Sequence, residues 1–150
     1  MNPGDKAPDF ELSDQDGNPR KLSDLLEKGP VVLFFYPAAM TAGCTKESCH
    51  FRDLSAEFAA AGAQIVGISK DTVDKQQEFA TKHSFGYPLL SDTDRSVATA
   101  FGLKRGLLGL SPVQRATFVI NADGTIRDVI KSETKMDVHA DKALELLKAG

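Results

Sequence analysis

Residues 31–53, VVLFFYPAAMTAGCTKESCHFRD, decide the fold. Positions 31–36 form an unbroken apolar run of β-branched and aromatic residues, the composition of a strand buried on both faces. Pro37 ends that strand, small residues turn the chain, and Thr41, Gly43 and Cys44 open a helical pattern. Both cysteines of the protein, Cys44 and Cys49, lie in this one segment. A thiol in the first turn of a helix meets unpaired backbone N–H groups and the positive end of the helix dipole, which favour thiolate over thiol.

Working outward, residues 44–61 carry helical periodicity, with Phe51, Leu54 and Phe58 on one stripe and Gly62 as the C-cap. Residues 64–69 (QIVGIS) read as a second buried strand. A helix over 72–83 follows, with Val73, Phe79 and Ala80 facing inward, then a short strand at 88–91 and a short helix at 96–101. Residues 102–114 form a loop whose Leu107, Leu108 and Leu110 pack back on the core or form an apolar flap. Strands at 117–120 and 125–130 are joined by the turn Asn121-Ala122-Asp123-Gly124, and a helix over 140–148 presents Ala143, Leu144 and Leu147 on one stripe. Upstream, Phe10 and Leu12 alternate with polar residues, residues 14–19 are a dense turn signal, and residues 20–22 return as a strand. Ser23 is the expected N-cap of a single helical turn closed by Gly29. The order predicts an α/β fold: one domain over residues 1–150, with a central mixed β-sheet, helices on both faces and an N-terminal β-hairpin.

The apolar fraction of 41% and charged fraction of 26% are those of an ordinary globular protein. A net charge of -3 without a basic cluster gives no support to nucleic-acid or anionic-membrane binding. The N-terminus lacks the apolar core of a secretory signal, and the longest apolar run is too short to span a bilayer, so a cytoplasmic protein is expected. In that compartment two nearby cysteines point to redox chemistry or burial rather than to a static disulfide.

The spacing of the cysteines constrains their chemistry. Cys44 shares a helix face with Phe51 and Phe58, while Cys49 is rotated by about 140° and raised by about 7.5 Å. Their Cα atoms would stand about 8.6 Å apart in an intact helix, beyond the roughly 7 Å a disulfide allows. Any bond between them requires the first turns to unwind. Thr41 is placed to cap the N–H of Cys44 and to bond a thiolate or a bound oxygen. Glu47, on the same side as Cys44, can orient a cation, and Arg115 ahead of the 117–120 strand is the candidate, a guanidinium with a rigid fork of donors. His50 projects away from Cys44, and the spacing is not that of a zinc site. His83 and His139 read as surface or capping residues.

The run Tyr36-Pro37-x-x-x-Thr41-x-x-Cys44-Thr45-Lys46-Glu47-x-Cys49 resembles the active-site signature of peroxiredoxins. The five-residue cysteine spacing is similar to the peroxiredoxin Q, or bacterioferritin comigratory protein, subfamily. Gly4-Asp5-x-Ala7-Pro8-Asp9-Phe10, Phe51-Arg52-Asp53 and Arg115-x-Thr117-Phe118-Val119-Ile120 extend the match over essentially the whole chain. The resemblance implies a thioredoxin-like fold and a thiol peroxidase acting on hydrogen peroxide and organic hydroperoxides. Cys44 would be the peroxidatic thiolate, and Pro37, Thr41 and Arg115 would bind the peroxide. Cys49 would be the resolving thiol of an intramolecular disulfide, reduced by thioredoxin or another dithiol, with no metal and no organic cofactor. Such a disulfide needs no partner subunit, which favours a monomer and leaves a dimer open. Ala38, Ala39, Met40 and Ala42 stand where relatives often carry polar residues or a second proline, and this more apolar rim is expected to favour alkyl or lipid hydroperoxides. Two other readings use the same thiols: a peroxide-responsive sensor, and a thioredoxin-type dithiol–disulfide oxidoreductase, for which the C-x-x-C spacing is missing.

Overall fold

The computed structural model describes residues 1–104 and 113–149; Leu107, Leu108 and Leu110 of the expected loop lie outside the described residues. Strands β1 (Glu11–Ser13) and β2 (Pro19–Lys21) form the N-terminal antiparallel hairpin. Helix α1 (Leu22–Leu26) follows directly. Ser23 is not its cap. It lies inside the helix, and its amide donates to the Asp9 carboxylate at 3.0 Å, so a side chain from before the hairpin satisfies the helix start.

The expected central sheet is present. Strands β3 (Val31–Phe35), β4 (Gln64–Ser69), β5 (Leu89–Ser91), β6 (Ala116–Ile120) and β7 (Ile126–Lys131) pair in the order β5-β4-β3-β6-β7. The β3–β4 and β4–β5 pairs are parallel, and the β3–β6 and β6–β7 pairs antiparallel. β3 is buried along its whole length and alternates cleanly: Val32, Phe34 and Tyr36 enter one core cluster, while Val31, Leu33 and Phe35 enter the other. Helices α2 (Ala42–Asp53), α3 (Ser55–Ala60), α4 (Val73–His83) and α6 (Asp137–Ala149) cover the first face. Helices α1 and α5 (Ser96–Ala100) lie against the second.

Two helices differ from expectation. The continuous helix over 44–61 is two helices that meet at Leu54, whose φ of -97° and ψ of 7° depart from helical values. Ser55 Oγ donates to the Phe51 carbonyl at 3.3 Å, the acceptor its own amide would use in an unbroken helix. The last helix begins at Asp137 rather than at residue 140, which carries His139 into the core.

One register places the site. In the antiparallel β3–β6 pair Phe35 lies opposite Ala116, so β6 begins where β3 ends. Arg115, just before β6, therefore arrives beside the turn that leads from β3 into α2. Ala116 also pairs with Lys131, which brings residues 132 and 133 to the same edge.

Candidate active site

Beyond β3, Tyr36 donates its amide to the Ile68 carbonyl and the chain turns through Pro37 and Ala38. Met40 sits at φ 69°, a left-handed conformation uncommon for a non-glycine residue, and its neighbours hold it there. The Ala39 amide donates to Asp71 Oδ2 at 2.7 Å, and Ser69 Oγ donates to the same oxygen at 2.6 Å. Behind them Gln76 bonds Tyr36 Oη, Ser69 Oγ and the Leu90 carbonyl. This buried polar network ties the turn to β4, α4 and β5.

Thr41 is the N-cap residue of α2 by backbone position, and its carbonyl accepts the first helical bond from Thr45. Its side chain does not cap the Cys44 amide. The hydroxyl donates instead to the Ala38 carbonyl at 2.7 Å, because the turn folds that acceptor back within reach. The amides of Ala42, Gly43 and Cys44 thus lie ahead of the helical ladder, beside the Cys44 side chain.

Cys44 is buried, with its Sγ accepting a hydrogen bond from Arg115 Nη2 at 3.3 Å. Arg115 Nη1 donates to Glu47 Oε1 at 2.6 Å, so one guanidinium spans sulfur and carboxylate. Glu47 is wholly buried. Burial pushes its acid constant up to about 7, against the opposing charge and hydrogen bond of Arg115. The Arg115 amide donates to the Glu133 carboxylate, which fixes the backbone beneath the guanidinium. A Cβ on Gly43 would stand 3.4 Å from Arg115 Nη2 and from Met136 Cε, so the missing side chain lets both close over the helix start.

Cys49 is half-buried one turn further on, and both thiols are free. Burial raises its acid constant, with the nearby Arg52 acting the other way, so Cys49 is held as a thiol while α2 is intact. Tyr87 Oη donates to the Ser48 carbonyl at 2.7 Å, and Arg52 Nη1 to the His83 carbonyl at 2.7 Å.

His139 corrects the sequence reading. It is fully buried, with Nδ1 2.8 Å from Thr117 Oγ1, Nε2 2.9 Å from the Ser132 carbonyl, and Nδ1 3.5 Å from Glu47 Oε2. Burial drives its acid constant down to about 4. The sequence held a signal for it, since residues 139, 143 and 147 share one face of α6. Gln76 could likewise have been found from its place three residues before Phe79, whereas nothing local marks Asp71. His50 pairs with Asp141 at 2.7 Å, and no cluster of three or more metal-ligating side chains occurs among the described residues.

The sequence and the fold have counterparts in known proteins. The model of the AhpC/TSA family matches residues 3–129. The crystal structure of peroxidoxin BcpB from Mycobacterium tuberculosis is 63% identical, covers 99% of this chain and 97% of that one, and superposes with a TM-score of 0.93. Peroxiredoxin Q of Xanthomonas campestris is 33% identical over 93% of this chain and 90% of its own, with a TM-score of 0.83. The chloroplastic peroxiredoxin Q of Sedum lineare is 40% identical over 146 residues, 97% of this chain and 77% of that one.

Proposed function

Because the chain belongs to the AhpC/TSA family and is a thiol peroxidase of the peroxiredoxin type, we propose that Cys44 is its peroxidatic residue and Cys49 the resolving one. The observation that carries this is the Arg115 fork, with one nitrogen on Cys44 Sγ and the other on Glu47. A fixed cation against a buried sulfur stabilises the thiolate without making it a weak nucleophile through protonation.

The thiolate attacks the terminal oxygen of a hydroperoxide. The S–O bond forms as the O–O bond breaks, and the electron pair leaves on the distal oxygen, which takes a proton and departs as water or alcohol. Arg115 Nε is a buried donor without a partner among the described residues, so the guanidinium has capacity left for that oxygen. The Thr41 hydroxyl, already donating to Ala38, has lone pairs to accept the peroxide O–H. Pro37 walls the turn beside them. Cys49 then attacks the Cys44 sulfenic acid: the S–S bond forms, the S–O bond breaks and water leaves. Thioredoxin or a similar dithiol returns both thiols in a reducing cytoplasm, within one domain and one subunit. The apolar rim of Ala38, Ala39 and Met40, joined by Met136 across Gly43, favours alkyl hydroperoxides. The Xanthomonas campestris bacterioferritin comigratory protein, 33% identical, has alkyl peroxide reduction activity.

A coupled assay with thioredoxin, its reductase and NADPH tests this. Cys44→Ser is expected to give no turnover, and Cys49→Ser to consume one equivalent of peroxide and stall as the sulfenic acid. Normal cycling of Cys49→Ser would remove the resolving assignment. A kcat/KM for cumene hydroperoxide well below that for hydrogen peroxide would remove the rim argument.

A further inference from the structure

Among the described residues, a buried carboxylate oxygen at the site has no hydrogen-bond partner. Glu47 Oε1 is taken by Arg115, but Oε2 has no hydrogen bond among the described residues and faces His139 Nδ1 at 3.5 Å. Neither side chain is exposed to solvent. The tautomer of His139 follows from its other nitrogen. Nε2 lies 2.9 Å from the Ser132 carbonyl, which can only accept, so Nε2 carries the proton. In this tautomer Nδ1 is the acceptor of the Thr117 hydroxyl at 2.8 Å, and Glu47 Oε2 stands 3.5 Å from the same nitrogen. With Glu47 ionised and His139 neutral, two acceptors confront each other, both closed to bulk solvent. One proton between them, on Oε2 or on Nδ1, removes that repulsion and allows a hydrogen bond once the Thr117 hydroxyl rotates away from Nδ1.

We propose that Glu47 and His139 are a buried proton-sharing pair that sets how much of the Arg115 charge is felt at Cys44, with His139 a positioning residue for the peroxidase reaction. The groups facing the pair are Arg115 ahead of β6, Cys44 one turn back on α2, Glu133 after β7 and Tyr87 ahead of β5. When the pair holds its proton, Arg115 and the pair together carry +1 beside Cys44. When it does not, Glu47 offsets Arg115 and the sum is zero. The raised Glu47 acid constant places that change near neutrality. Ionisation of Cys44 can then proceed internally: the S–H bond breaks, the proton passes to the pair, and the new thiolate faces a cluster whose charge has risen from zero to +1. The inference rests on Cys44 as the peroxidatic residue.

The test uses Cys49→Ser protein, which retains Cys44 as its one thiol, and the rate of its single reaction with peroxide from near pH 5 to near pH 9. The pair is expected to contribute an ionisation near neutrality, the lower one in the profile. His139→Gln presents an amide donor to Glu47 and keeps it ionised, so the lower ionisation should vanish, with a roughly tenfold loss near pH 6 and little change near pH 8.5. An equal loss at both pH values is what a structural role alone would give, and it overturns the proposal, as does no loss at either. In the protein without a substitution at 139, ¹⁵N spectroscopy of the His139 ring reads the pair directly. Its Nδ1 signal should move through the lower ionisation and lose that movement in Glu47→Gln, whereas a flat signal overturns the proposal even if His139→Gln fails to fold. Turnover by Cys44→Ser would remove the peroxidatic assignment instead, while the ring titration would still report on Glu47 and His139.

Discussion

At Glu47 a carboxyl group is kept in the core by a single cation, and its stability cost depends on pH. In the folded chain Glu47 holds its proton up to about pH 7, against an ordinary value of 4.5. The folded state therefore binds the extra proton between those values, so the contribution of Glu47 is complete below 4.5 and is lost as pH rises through 7. His139 runs the other way: its folded value of about 4 against an ordinary 6.5 means that stability is lost as pH falls between them. Glu47→Gln removes the first dependence and leaves the second. Relative to the unsubstituted protein, it is expected to gain stability from near pH 5 to near pH 8, by on the order of 2 kcal/mol. Urea midpoints at the two pH values measure this, and parallel curves would show that Glu47 is ionised throughout.

At the scale of the helix, α2 has to satisfy two demands. Its first turn aims Cys44 at Arg115, and its stack of Phe51 on Phe34, with ring centroids 4.3 Å apart, fixes the helix to β3. Tyr87 and Arg52 clamp the turn that carries Cys49. In an intact helix the cysteine Cα atoms stand about 8.6 Å apart, so disulfide formation has to break backbone hydrogen bonds between them. Each bond contributes only about 1 kcal/mol net, so local opening is accessible without global unfolding. Amide exchange across residues 42–52 is expected to rise on oxidation to the disulfide, with β3 and β6 unchanged. Equal protection in both redox states would mean that the pair bonds without unwinding, or not at all.

For the molecule as a whole, the sheet transmits packing to that helix. Gly67 on β4 lies between β3 and β5, and a Cβ there would come within 2.8 Å of Leu89 Cδ2 and 2.9 Å of Phe34 Cζ. Phe34 is the ring on which Phe51 stacks. Gly67→Ala is expected to cost about 1–3 kcal/mol by overpacking and to raise amide exchange in α2 before it does so in α5 on the opposite face. A denaturation midpoint equal to that of the unsubstituted chain would show that Leu89 and Phe34 have room to move.

The sequence by itself determined the elements and the candidate chemistry, because both are written locally. The apolar run at 31–36 makes a strand, Pro37 stops it, and the tightly spaced Tyr36, Pro37, Thr41, Cys44, Glu47 and Cys49 lie within one turn and one helix. Arg115 was legible only through resemblance and its place before a strand; the β3–β6 register is what carries it 71 residues along the chain to Cys44. The tertiary structure decided the partners of Thr41 and His139. The hydroxyl of Thr41 turns to Ala38, because the Asp71 clamp bends residues 37–40 back toward it. The helix break at Leu54 is local by contrast, with Ser55 Oγ taking the Phe51 carbonyl four residues back. His139 is buried against Glu47 and Thr117, because α6 packs its stripe on β6. Hydrogen-bond partners and burial in the core are set by groups distant in sequence, so the charge state of this site is a property of the packed molecule and not of its motif.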